Sequence, residues 1–124
     1  NANKQGIEFD CFVSGDEVKN GARPYPNMVY KNMDLLGVEG IHQVIKVDDT
    51  VGGVGEGTNA GCKTVAVSRW SNYMQIDSLL HEARIGDQEM THRHDACKRI
   101  LAGTGADYVV DDITSLPDII RSLG

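Results

Sequence analysis

The residues able to do chemistry gather at three strand ends and in one loop. Lys46-Val47-Asp48-Asp49-Thr50 ends a short β-branched run and leads into Gly52-Gly53, Gly55 and Gly57. Paired carboxylates at a strand's end can hold a hard divalent cation such as Mg²⁺, which is commonly bound by one or two carboxylates plus a substrate phosphate. The same two aspartates can instead cap the following helix and favour its positive dipole end. Arg23 lies in Gly21–Pro26, directly before Pro24 and upstream of a helix, where a guanidinium can pair with a phosphate or with the aspartates. Ser68-Arg69 follow a third apolar run, and Ser14, Asp16 and Glu17 follow the first. The glycine run has neither GxGxxG spacing nor the Lys-Ser/Thr of a phosphate-cradling loop.

The remaining candidates read as structure. Cys11, Cys62 and Cys97 are widely spaced, with no CxxC or CxxH pair, which fits free thiols better than zinc. His92 and His94 are two apart, so on a helix they face different ways. Trp70 and Tyr73 can line a pocket or pack a helix onto a sheet. Glu82, Arg84, Asp87, Glu89, Arg93 and Asp95 form a mixed-charge region expected on a solvated helix face. No Ser-His-Asp or Cys-His arrangement is legible.

The elements that must position these groups alternate. Phe9–Ser14 reads as a strand ended by Gly15-Asp16. Asn27–Leu36 carries Met28, Leu35 and Leu36 at helical spacing and stops at Gly37. Gln43–Val47 is a strand, Val51–Ala60 a helix closed by Gly61, and Lys63–Val67 a buried strand. Ile76–Ala83 reads as a helix, Gly86-Asp87 as a break, and His92–Ala102 as a helix with Ala96, Ile100 and Leu101 inward. Asp107–Val110 is a strand, and Ser115-Leu116-Pro117-Asp118 looks like a capping box opening a last helix through Leu123. The order β-α-β-α-β-α-α-β-α predicts an α/β layer fold with a mainly parallel sheet, right-handed crossovers and ligands at the strands' carboxyl ends.

Composition narrows the classes. The chain's 124 residues suit one domain, read as 1–124. Twelve basic against 18 acidic residues leave a formal net charge of −6, which argues against nucleic acid or an acidic membrane as partner. No stretch approaches the roughly 18 apolar residues of a membrane span. Asn1 is followed by no basic-then-apolar leader, so the start reads as a cut end, and free thiols point to a reducing, cytoplasmic setting.

Beyond these patterns, "FVSGDEVKNGARPYPNMVYKNMDLLGV", "VIKVDDTVGGVGEGTNAGCKTVAV" and "GADYVVDDITSLPDII" resemble, in that order, the phosphonoacetaldehyde hydrolases of the haloacid dehalogenase (HAD) superfamily. The likeness runs from about Gly6 to Ile120. It implies a three-layer Rossmann-like (HAD-like) parallel sheet, with an incomplete core and no cap domain, because only the C-terminal half of such a protein is matched. The family's reaction is Mg²⁺-dependent hydrolysis of the carbon–phosphorus bond of phosphonoacetaldehyde to acetaldehyde and phosphate, using a nucleophilic aspartate and a cap-domain Schiff-base lysine. By position, Arg23 matches the residue contacting the phosphoryl group, Asp49 the first acidic residue of the metal loop and Thr50 its neighbour.

The departures are as telling as the matches. Where the family has Gly-Asp-Thr-x-x-Asp, this chain has Asp48-Asp49-Thr50-Val51-Gly52-Gly53, so Gly53 replaces the second aspartate and Asp48 the glycine. The nucleophile motif and the lysine are not in this sequence. The resemblance therefore implies a chain inactive alone and a weakened Mg²⁺ site at Asp48 and Asp49. It also implies a Val44–Val47 edge that either Phe9–Ser14 or a second copy must cover, giving a repacked sheet or a homodimer. The alternatives are a half-enzyme completed by another chain, and a phosphate- or phosphonate-binding or oligomerisation module without catalysis.

Overall fold

The computed structural model describes residues 10–124. Three parallel strands, β1 (Ile45–Asp48), β2 (Lys63–Val67) and β3 (Tyr108–Val110), form one sheet in that order. Asp48 pairs in register with Ala66, and Ala66 with Val109. Each strand is followed by helix: α2 (Val51–Ala60) after β1, α3 (Leu79–Arg84) and α4 (Asp87–Ala102) after β2, and α5 (Leu116–Leu123) after β3. Helix α1 (Asn27–Leu36) precedes the sheet and ends at Gly37, whose left-handed backbone lets its N–H reach the last carbonyls.

Alternation along the strands decides what faces what. Lys46, Asp48, Thr64 and Ala66 point towards α2. Val54 of α2 joins Ala66, Met74, Cys97 and Leu101 in the main core, with Val109 packed against it, so α4 lies over the same face. Thr64, Val65 and Ala66 are all buried, so both faces of the central strand are covered, as a parallel sheet requires. A smaller core of Val29, Ala60 and Cys62 joins α1 to the end of α2.

Helix α2 contains four glycines and forms because of them rather than despite them. A Cβ on Gly57 would sit 2.6 Å from Lys46 Cβ and 2.7 Å from Thr64 Cγ2, so glycine lets the helix lie directly on β1 and β2. That close approach offsets the roughly 1 kcal/mol per residue that glycine costs a helix. It also makes the glycine run part of a helix and not a phosphate-cradling loop.

Several expectations change. Cys11–Ser14 forms no strand: Phe12 is exposed, Gly15–Glu17 is a single 3₁₀ turn, and the Cys11 thiol donates to Asn32 Oδ1 of α1 at 2.9 Å. Phe9 lies outside the described residues. The run is too short, and too interrupted by Asp10 and Ser14, to outcompete these local bonds. Among the described residues nothing pairs with the outer side of β1, so Phe9–Ser14 does not cover that edge through its described part. Strand β1 starts later than read, because Ile41–Gln43 is a 3₁₀ turn. Helix α4 starts at Asp87, not His92, and turns Cys97 and Leu101 inward while Ile100 is 44% exposed. Helix α3 starts late because Ser78 caps it, accepting from the His81 N–H at 3.1 Å. Ser115 makes no cap bond to α5; Asp112 instead caps the preceding 3₁₀ turn through the Thr114 N–H. Among the described residues no helix is long and apolar enough to cross a membrane.

Candidate functional site

The loop Gly21–Pro26 lies along α2, from Gly52 to Asn59. Asn59 donates to the Pro24 carbonyl at 2.8 Å, Asn27 donates to the Gly21 carbonyl at 2.9 Å, and Pro24 packs over Gly55. This anchoring brings Arg23 to the carboxyl end of β1, where its Nη2 meets Asp48 Oδ2 at 3.0 Å. Of the partners open to Arg23 in the sequence, the structure places Asp48 beside it, and not Asp49.

Asp48 is the hub. Its Oδ1 accepts from the Asp49 and Thr50 N–H groups at 2.9 and 3.0 Å and from the Thr50 hydroxyl at 2.7 Å. Its Oδ2 faces Arg23 and, at 3.4 Å, Lys46 Nζ. Burial alone would raise this carboxyl, but the Thr50 hydrogen bonds and the Arg23 and Lys46 charges outweigh it and hold it below the usual carboxylate range. Neither aspartate caps α2. Thr50 does, accepting from the Gly53 N–H at 3.0 Å while its own hydroxyl is held by Asp48.

Two members of the cluster were not singled out in the sequence. Lys46 Nζ lies 2.7 Å from Glu56 Oε1, with Arg23 Nε at 3.8 Å. Glu56 is buried, and its Oε2 has no hydrogen-bond partner among the described residues. Both had a signal: Lys46 lies two residues before Asp48 on a strand, hence on the same face, and Glu56 is the only charged residue in an otherwise apolar and small-residue helix.

Asp49 lies on the other side of the strand end. Its carbonyl accepts from the buried Ser71 hydroxyl at 2.6 Å, and it lines a cavity of about 340 Å³ with Val47, Val67, Trp70 and Ile113. Tyr73 packs against the main core and accepts from the Val51 N–H at 3.0 Å through its hydroxyl, so of the two aromatics only Trp70 lines this cavity.

The carboxyl end of β2, with Ser68 and Arg69, is structural. Arg69 is bound by Glu82 and by Asp112, each at 2.9 Å, which ties β2 to α3 and to the turn after β3. Ser68 is fully buried and bonded to His94 Nδ1 at 3.1 Å, so its hydroxyl is closed to a substrate. Arg93 reaches the Met74 and Gln75 carbonyls, so the mixed-charge stretch is not wholly a solvated face. Ser14, Asp16 and Glu17 make no described bond to the Asp48 cluster; Glu17 binds its own turn and Lys31.

At Asp48 and position 53 the donors present do not fit Mg²⁺: Asp48 spends its oxygens on three hydrogen bonds and two cations, and Gly53 offers no side chain. Asp49 is left as a single carboxylate, and among the described residues no three of His, Cys, Asp or Glu are placed to hold a metal ion.

A parallel sheet with helices on its crossovers and polar groups at the carboxyl end of the first strand defines a Rossmann-like α/β domain of HAD type. The comparisons carry this further. The chain is 34% identical over 122 residues to a phosphonoacetaldehyde hydrolase of Parabacteroides distasonis, covering 98% of this chain and 46% of the relative. It is 35% identical over 118 residues to the Aeromonas hydrophila phosphonoacetaldehyde hydrolase, covering 95% and 42%. The crystal structure of a phosphonoacetaldehyde hydrolase-like protein from Oleispira antarctica superposes with a TM-score of 0.91 at 31% identity, over 98% of this chain and 44% of that one. No family model matches. The chain thus resembles phosphonoacetaldehyde hydrolases over nearly all of its own length and spans less than half the length of these relatives.

Proposed function

We propose that this chain is the Arg23- and Asp49-bearing portion of a phosphonoacetaldehyde hydrolase-like protein. The whole protein's reaction would be hydrolysis of the carbon–phosphorus bond of phosphonoacetaldehyde to acetaldehyde and phosphate. The observation that carries the reading is the meeting of Arg23 with the Asp48-Asp49-Thr50 loop at the carboxyl end of β1. There the guanidinium, 43% exposed, contacts a phosphoryl or phosphonyl oxygen. Nucleophilic attack and imine formation need an aspartate and a lysine from outside this sequence, so the chain alone does not turn over substrate. The test is acetaldehyde release from phosphonoacetaldehyde, coupled to an NADH-dependent alcohol dehydrogenase. The purified chain gives the blank rate; measurable turnover overturns the reading. Activity restored by supplying the missing portion in trans supports a half-enzyme.

A second reading is a binding or oligomerisation module of cytoplasmic setting, favoured by the outer side of β1, with which nothing among the described residues pairs. Val44, Ile45 and Val47 remain half-buried at that edge, and a second copy can add its own β1 to it. Light scattering at rising concentration separates a homodimer from a monomer. Inorganic phosphate raising the unfolding temperature, with the effect lost in Arg23→Ala, supports ligand binding without catalysis.

A further inference from the structure

Residues 48 and 53 occupy one volume. A Cβ built on Gly53 falls inside the Asp48 carboxyl group, so the Asp48 side chain fills the room that any side chain at position 53 needs. The two departures from the Gly-Asp-Thr-x-x-Asp pattern are therefore one exchange. A carboxylate arrives at the same place from the strand instead of from the helix.

Its surroundings are not those of a metal ligand. Lys46 and Arg23 face Asp48 Oδ2 at 3.4 and 3.0 Å, and the same two cations face Glu56 Oε1 at 2.7 and 3.8 Å. Two carboxylates and two side-chain cations close on each other, with Asp48 8% and Glu56 2% exposed at their side chains. A carboxylate offers about four lone-pair sites, and those of Asp48 are taken. A divalent ion entering here would meet two positive charges at short range, Lys46 mostly withdrawn from solvent and Arg23 partly exposed.

We infer that the Asp48–Gly53 exchange makes the Asp48–Glu56 cluster internally neutralised, with Arg23 and Lys46 supplying the positive charge that a divalent cation would otherwise bring, while Asp49 lies outside the cluster. A phosphoryl or phosphonyl group reaching this end of the sheet meets the Arg23 guanidinium beside a cluster that holds no divalent ion at Asp48. The inference is about the cluster's charge and holds whether or not the whole protein cleaves carbon–phosphorus bonds.

Two experiments on the purified chain decide it. In the first, Mn²⁺ is titrated into wild type and Lys46→Met while unfolding temperature and water-proton relaxation are followed. Removing Lys46 leaves Asp48 and Glu56 short of positive charge, so Mn²⁺ raises the unfolding temperature of Lys46→Met and leaves wild type unmoved. Saturable Mn²⁺ binding to wild type that Asp48→Asn abolishes overturns the inference, and so does a Lys46→Met variant as indifferent to Mn²⁺ as wild type. The second experiment needs no metal. Gly53→Ala lowers the unfolding temperature by about 5–10 °C in wild type, the scale of an overpacked core, and does not lower it in an Asp48→Gly background. Equal losses in both backgrounds overturn the exchange.

Discussion

Lys46 is the keystone of the buried charge cluster, and its removal is the sharpest test of the geometry. Its ammonium lies 2.7 Å from Glu56 Oε1, and the two side chains are 18% and 2% exposed. At an effective dielectric near 20 that separation corresponds to about 6 kcal/mol of gross attraction. Much of this is offset by the cost of taking Glu56 out of water. Breaking a buried pair by deleting one partner costs about 3–5 kcal/mol, because the other charge is left uncompensated. Arg23 Nε at 3.8 Å softens that loss, and Lys46 is not fully buried, so about 3 kcal/mol is expected for Lys46→Met. Methionine keeps the stem that packs on Gly57, so the change isolates the charge. The assay is urea unfolding followed by far-ultraviolet circular dichroism. Glu56→Leu alone and Lys46→Met/Glu56→Leu complete the cycle, and the double variant should lose less than the sum of the single ones. A Lys46→Met loss below about 1 kcal/mol, the value of an exposed pair, would mean that Glu56 is not held as a buried ion by Lys46.

Two further predictions follow from the same surfaces. Asp48 titrates below its unfolded value, so its contribution to stability is fully present above about pH 4 and is lost as pH falls through the depressed folded value. Asp48→Asn should be destabilised near neutral pH and flatten the acid limb of the stability profile; an unchanged acid limb contradicts the assignment. Within α2, Gly55→Ala meets only Pro24 Cβ at 3.6 Å and should gain up to about 1 kcal/mol of helix propensity, while Gly57→Ala collides with Lys46 and Thr64 and should lose about 1–3 kcal/mol. Thermal unfolding of both variants checks the contrast, and a stabilised Gly57→Ala would mean that the helix does not lie as close to β1 and β2 as described.

The sequence by itself determined the alternation of strands and helices after Asn27, because each carries its own signal. Short β-branched runs set the three strands of the sheet, and Gly37 and Gly61 end α1 and α2 through left-handed backbone that glycine adopts without strain. It also determined the likeness to phosphonoacetaldehyde hydrolases and left Arg23 a choice between a phosphate and the aspartates, which the structure resolves to Asp48. It did not determine that Cys11–Ser14 would stay out of the sheet, since a short apolar run reads the same whether or not a neighbouring strand is there to receive it. Nor did it reveal the roles of Asp48, Lys46 and Glu56. Read along the chain, Asp48 and Gly53 are two separate losses from a motif. Only the packing of α2 onto β1 puts residue 53 against the Asp48 carboxylate and brings Lys46, Glu56 and Arg23 within ion-pair distance of one another. That packing depends on which side chains share one face of a sheet and one face of a helix, and this is decided in three dimensions.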